Sequence, residues 1–268
     1  MILRITLSLL LIQISASAVA QTANPDRNKP LEITADESME WHRNDFYFKA
    51  NKNVKAIQGT TTLLSEVLIA KYRDGKDGGM KIHTIQAAGS VQIISADSKA
   101  YGDKAIYEVD KGYTIMTGDN LRLTSDDQNV TARDKFEYWV NKGKLVATGK
   151  AKAQRLGDTL EADKIIATFK ETKQGKRELQ TLEAIGNVVI TTPDEVLTGN
   201  KAIYNSSTNI AELHDNVKIK RGPNIVEGKK AQVNLATNVS KIFGSTQQNG
   251  RVRGVFYPGS KDISGQTQ

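Results

Sequence analysis

Few residues in this 268-residue chain have the types and spacing that chemistry needs. The three histidines, His42, His83 and His214, fall in unrelated segments. They form no His-x-x-x-His pair and accompany no G-x-S-x-G nucleophile turn, so they read as surface histidines with ordinary partners. Carboxylates are plentiful, and a glycosidase-type pair stays open on sequence grounds. Asp103, Asp134 and Asp163, with Asn200, open similar segments at recurring positions. Stacked aspartates can hold calcium, but the Gly-Gly-x-Gly-x-Asp pattern of calcium-binding β-rolls is missing. An Asx-turn, in which the side chain bonds the backbone two residues on, suits these positions better. Cysteine is absent, which removes disulfides and thiolate metal sites. The expectation is a chain that is not an enzyme and uses no metal and no cofactor.

The elements that carry these residues repeat. Gly89-Ser90-Val91-Gln92-Ile93 recurs at Gly118–Leu123 with one residue inserted, at Gly149–Ala153 and at Gly186–Ile190. Asn53–Ala56 and Asn216–Ile219 are outer copies without the Gly. The first apolar positions are 54, 91, 121, 151, 188 and 217, a spacing that marks a repeat architecture. A second element recurs in step at Asp103–Tyr107, Asp134–Tyr138, Asp163–Ala167 and Asn200–Tyr204. A longer period also holds, since 54 and 91 return 97 residues later at 151 and 188. The charged inserts Arg73–Gly79 and Glu171–Arg177 read as hairpin loops. Period-two alternation, punctuated by Gly, Asn and Asp turns between short strands, predicts an all-β fold of stacked repeats of about 30 residues.

Residues i and i+2 of a strand share a face. One face therefore collects Val54 and Ala56, Val91 and Ile93, Leu121 and Leu123, Ala151 and Ala153, Val188 and Ile190, and Val217 and Ile219. The second element adds Ala70 and Tyr72, Ala105 and Tyr107, Phe136 and Tyr138, Ile165 and Ala167, and Ala202 and Tyr204. These line either a packed dry sandwich or an open apolar trough. A stack of similar units leaves an unpaired strand at each end unless it is capped, and no capping helix is visible. The assembly edges are expected in the strands near Leu31–Ala35 and near Ala231–Phe243, at Leu31, Ile33 and Ala35 and at Val233 and Leu235. Between the inward residues stand Lys55, Gln92, Arg122, Lys152, Val189 and Lys218, a partly basic outer ladder. The formal net charge of +7 favours anionic partners. Nucleic acid is disfavoured, because neither a recognition helix nor an aromatic-basic platform is present.

The ends carry their own signals. Residues 1–20 have Arg4, an apolar run from Ile5 to Ile14, and Ala18-Val19-Ala20 as a small-x-small cleavage site, which together read as a secretory signal peptide cleaved after Ala20. Residues 21–30 form a flexible leader, 31–243 the β region, and 244–268 a polar, partly disordered tail. Within the tail, Val252–Pro258 reads as a loose edge strand or a partner contact.

The ordered series of G-N-V-x-I and D-K-A-x-Y units resembles the OstA-like family of periplasmic lipopolysaccharide-transport proteins. Leu31-Glu32-Ile33-Thr34-Ala35-Asp36 is similar to its opening strand, and Gly186–Ile190 followed by Gly199–Tyr204 to its repeat. The resemblance implies an open, twisted β-jellyroll that shields the acyl chains (lipid A) of lipopolysaccharide in the periplasm. It also implies edge-strand pairing with an inner-membrane component and an outer-membrane translocon, and head-to-tail self-association. A structural or adhesive repeat protein and a β-solenoid carbohydrate-active enzyme remain the alternatives.

Overall fold

Alternating apolar and polar residues make strands, and here the strands run longer than the alternating blocks that build them. The computed structural model describes residues 29–75, 78–95, 97–172, 177–237, 239–245 and 250–258. The signal segment, most of the leader, the tips of both inserted loops and the end of the tail lie outside the described residues. Eighteen strands form one sheet. They are β1 (Glu32–Thr34), β2 (Ser38–His42), β3 (Tyr47–Gln58), β4 (Thr61–Asp74), β5 (Met80–Ile94), β6 (Lys99–Glu108), β7 (Tyr113–Thr117), β8 (Leu121–Thr124) and β9 (Gln128–Ala132) in the first half of the chain. The second half supplies β10 (Lys135–Trp139), β11 (Lys144–Arg155), β12 (Asp158–Glu171), β13 (Arg177–Thr191), β14 (Glu195–Asn205), β15 (Ile210–Arg221), β16 (Asn224–Asn234), β17 (Val239–Phe243) and β18 (Arg253–Val255). Among the described residues there is no α-helix, and one 3-10 turn at Val140–Lys142.

The repeated Gly does not separate two short strands, as the sequence suggests; it bends one long strand. In β5, Gly89 and Ser90 stand at φ 82° and 47°. The register with β6 slips between Ala88 and Val91. Gly149-Lys150 in β11 and Gly186-Asn187 in β13 repeat the left-handed pair, and so do Lys52-Asn53 in β3 and Asp215-Asn216 in β15. Each is a bulge, which adds a residue and turns the strand without ending it. In the middle of the chain the link is longer, so Gly118–Asn120 divides β7 from β8, and Arg133-Asp134 divides β9 from β10.

The repeated Asp supports the bend. Asp163 accepts a hydrogen bond at 2.9 Å from the Asn187 side chain of the next strand. Asp103 accepts one at 2.9 Å from the backbone N–H of Asp119, and Asp36 one at 2.8 Å from Asn53. These are braces between segments, in place of the Asx-turns expected from sequence. A Cβ on Gly186 would come within 2.3 Å of Asp163 Oδ2, so glycine both adopts the bend and leaves room for its brace.

The bends divide every long strand between two half-sheets. In the first, β2 pairs the start of β3, and the ladder passes through β7 and β10 to β17. In the second, β1 pairs the end of β3, and the ladder passes through β8 and β9 to β18. Both halves cover the main buried cluster, which takes Tyr138 and Ala167 from the first and Leu121 and Leu160 from the second; a smaller cluster around Val54 and Leu68 lies at the N-terminal end, and Leu63 packs against both. The column of bends closes one side. Hairpin turns, including those at Asp74↔Met80 and Glu171↔Arg177, line the two free rims. Among the described residues no strand pairs across the rims. The result is an open, twisted, all-β trough of the jellyroll kind. Its sheet continues past residue 243, because β18 pairs β16 at Ile225↔Val255.

This register makes a measurable contrast. Val188 is 1% exposed, whereas Lys152 faces solvent beside Glu161 at 2.9 Å. Val188→Asp should lower unfolding stability in urea by several kcal/mol, about 3 or more, because it buries an unpaired carboxyl. Lys152→Gln should cost less than about 1 kcal/mol. A Lys152→Gln protein less stable than Val188→Asp would mean that the faces are exchanged.

Candidate functional site

The two repeated elements line different walls of the trough. Val54, Ala56, Val91, Ile93, Leu121, Leu123, Val188, Ile190, Val217 and Ile219 face inward on the second half-sheet. Ala70, Tyr72, Ala105, Tyr107, Phe136, Tyr138, Ala202 and Tyr204 face inward on the first. All are buried except Ile93, Tyr107, Ile190, Ala202 and Tyr204, which are half-buried. A further set is buried in the same walls: Leu68 continues the alternation of Ala70 and Tyr72, whereas Leu160 and Leu197 are missed by carrying the alternation of Ile165 and Ala202 back through the bend. They lie on strands whose inward positions change parity at the bend: on β4, Leu68 and Ser65 are both buried though three residues apart.

The interior is largely filled. A cavity of about 70 Å³ lies among Leu182, Ile190, Leu197, Tyr204, Leu213 and Val233. Another of about 80 Å³ lies among Leu31, Ala56, Leu63, Ile93 and Tyr107. Both are apolar and open toward solvent.

The two rims differ. Tyr72, Tyr107, Tyr138 and Tyr204 stand near the hairpin ends of the first half-sheet. Tyr72 accepts a 2.8 Å hydrogen bond from Trp41 Nε1, and Tyr138 accepts one from Arg177. The Tyr107 hydroxyl is buried with no protein partner. On the second half-sheet the inward positions turn polar at the rim, where Gln128, Asp158, Thr192 and Glu195 are all buried. Burial raises the carboxyl pKa of Asp158 despite nearby Arg155. Burial also pushes Glu195 up to about 7; Arg221 opposes this and Asp194 adds to it.

Among the described residues the three histidines do not come together. His42 pairs with Glu40 at 2.7 Å, His83 with Thr84 at 2.9 Å and His214 with Glu212 at 3.0 Å, in three separate places. The outer ladder is offset by its neighbours: Lys152 meets Glu161, Lys218 meets Glu227 at 3.3 Å, and Arg122 lies 4.5 Å over the Tyr101 ring.

Both ends of the stack are single-paired. β1 and β2 bond only β3, and Met39, Trp41 and Phe46 are exposed beside them. Leu31, Ile33 and Ala35 are half-buried against the N-terminal core cluster. At the other end the edge lies one strand beyond the expected Val233 and Leu235. Val233 opposes both Ala211 and Ser240, and Leu235 donates its N–H to Asn209. The outermost strands are β17 and β18, because the segment after Asn234 folds back onto β16.

The raised Glu195 pKa has a direct test. The native state holds that proton more tightly than the unfolded chain, so this group stabilises most below the ordinary carboxylate pKa. That contribution is lost as pH rises toward 7. Glu195→Gln should flatten the stability profile between pH 5 and 8 and raise stability at pH 8 by about 2 kcal/mol. A variant whose profile tracks the parent would show that Glu195 is ionised throughout.

Comparison with known proteins adds to this geometry. The profile of the family described as LptA/(LptD N-terminal domain) LPS transport protein matches residues 32–144 and again 130–239. The two matches begin at an offset close to the longer period of the sequence. No curated protein matches. Among solved structures, the chain is similar to LptH, the LptA homologous periplasmic component of the lipopolysaccharide transport device of Pseudomonas aeruginosa, at 13% identity over 87% of this chain and 99% of that one. The TM-score is 0.22, too low to transfer any residue role.

Proposed function

The chain belongs to the LptA/(LptD N-terminal domain) family of lipopolysaccharide-transport proteins, and we propose that it shields lipopolysaccharide acyl chains in its trough while they cross the periplasm. Members of this family move lipid and do not transform it, and the chain is not an enzyme. The observation that carries the reading is the apolar lining of both half-sheets, a main cluster and an N-terminal one with Leu63 packed against both, with cavities open along a mouth that no strand pairing closes among the described residues. Each CH₂ exposed to water costs ~0.8 kcal/mol, so a multi-chain lipid needs such a lining to cross an aqueous space. The interior cavities are much smaller than that lipid. Loading therefore requires the rims to part, with the column of bulges as the hinge. Export by the segment 1–20 and cleavage after Ala20 belong to the same proposal.

A photo-crosslinker placed at Val91, Leu121 or Tyr138 should capture lipopolysaccharide in cells, and one at outward-facing Arg122 should not. Equal capture at both faces would sink the proposal.

The bridge function is proposed from the two ends. β1 and β2 at one end and β17 and β18 at the other offer unpaired backbone to a second copy, to an inner-membrane component or to an outer-membrane translocon. Successive residues of a strand turn their N–H groups to opposite sides, so proline at Lys241 or at Ile242 removes an outward donor in one of the two variants. Light scattering should show concentration-dependent oligomers for the parent and their loss in one of those variants. Oligomers that persist in both would place the contact elsewhere.

A further inference from the structure

The polar rim of the second half-sheet carries two similar triads. In the first, Arg155 lies directly opposite Gln128 on one side and Asp158 on the other. In the second, Arg221 lies directly opposite Glu195 and Asn224. Each triad thus sets an arginine between a carboxylate and an amide on adjacent strands. Each continues an inward column: Arg155 follows Ala151 and Ala153, and Glu195 precedes Leu197, all three of these apolar residues being buried. The triads therefore stand at the mouth, on the face that lines the apolar interior.

Their chemistry selects a ligand. Glu195 is 3% exposed. Neither of its carboxylate oxygens meets a hydrogen-bond partner in the protein, and Arg221 Nη1 stands 3.9 Å away. A buried acceptor left unpaired is costly, and a ligand donor would relieve that cost. Arg155 is already paired with Asp127 at 2.7 Å. With a carboxylate beside each arginine, the rim has little net positive charge to offer a phosphate, which prefers uncompensated cations. Mixed donors and acceptors in alternation suit groups that both donate and accept, and hydroxyls do both. On the opposite rim Arg177 is bonded to Tyr138 and Val140, and Arg73 is paired with Asp110.

We propose that the two triads form a shelf for the sugar hydroxyls of the glycolipid whose acyl chains fill the trough, so that the headgroup leaves over the second rim. The inference rests on the lipid-carrying reading above. It makes the rim a selector for glycolipid over phospholipid, because a site built to bond hydroxyls discriminates against a lipid lacking them.

The test uses the mature chain and three probes: an acylated, bisphosphorylated glucosamine disaccharide, the same lipid with its phosphates removed, and cardiolipin, which has several acyl chains and two phosphates but no sugar. The variants are Glu195→Leu with Arg221→Met and, separately, Arg155→Met with Asp158→Leu; each replaces both charges by apolar groups of similar size. The parent should bind both glucosamine lipids better than cardiolipin. Either double variant should lose about tenfold affinity for the glucosamine lipids and keep its affinity for cardiolipin. If one variant fails to fold, the other carries the test. Equal losses on all three probes, no loss on any, or dependence on the phosphates would overturn the shelf. A parent that binds none of the probes would overturn the lipid-carrying reading itself, and the shelf with it.

Discussion

Everything in this architecture depends on strands that bend without breaking. A pair of left-handed residues, as at Gly89-Ser90 and Gly186-Asn187, lets one strand leave the first half-sheet and enter the second while its side chains stay on the core side. For a residue with a Cβ the left-handed conformation costs ~1–2 kcal/mol, so the bend needs support. Hydrogen bonds to the adjacent segment, as from Asn187 to Asp163, supply it. Because every long strand bends at the same level, the bends stack into one closed corner, and stacking alone makes a trough.

The same geometry leaves three boundaries open. Among the described residues both rims consist of hairpin turns with no pairing across the mouth, and both ends stop at single-paired strands. A closed barrel would remove the edges and would also fix the interior volume. An open trough keeps its edges and holds its walls together through apolar contact and the bulge column alone. That is weak restraint against parting and strong restraint against shear, since each long strand, β3–β6 and β11–β16, belongs to both walls. Transport by passive shielding needs that combination.

Polarity is distributed with the same economy. The outer face carries lysines matched to glutamates on adjacent strands, so its charge is largely neutralised locally. The inner face is mostly apolar between the turns, with Ser65 as a buried polar residue at the bend of β4. At the turns the first rim ends in tyrosines and the second in the buried Gln128, Asp158 and Glu195, with half-buried arginines beside them. Buried ionisable groups cost free energy unless paired. A row of them at the mouth and none deeper in the core gives the trough a direction across its width.

The sequence by itself determined the all-β class, the repeat, the hairpin inserts and the inward identity of residues such as Val91, Leu121 and Tyr138. These follow from period-two alternation and turn chemistry, which are local properties of the chain. It did not determine that the Gly of each repeat bends a strand, because a Gly between alternating runs suits a turn equally well; only the ladder of bonds to both neighbours distinguishes them. Leu160 and Leu197 stayed hidden because inward parity changes at the bends of their strands. The edge fell at β17 and β18, one strand beyond Val233, because pairing by the folded-back segment is a long-range event. The triads around Arg155 and Arg221 were likewise decided by tertiary structure. Their members lie up to 30 positions apart in the sequence, from Gln128 to Asp158, and only the register of adjacent strands sets acid, arginine and amide side by side.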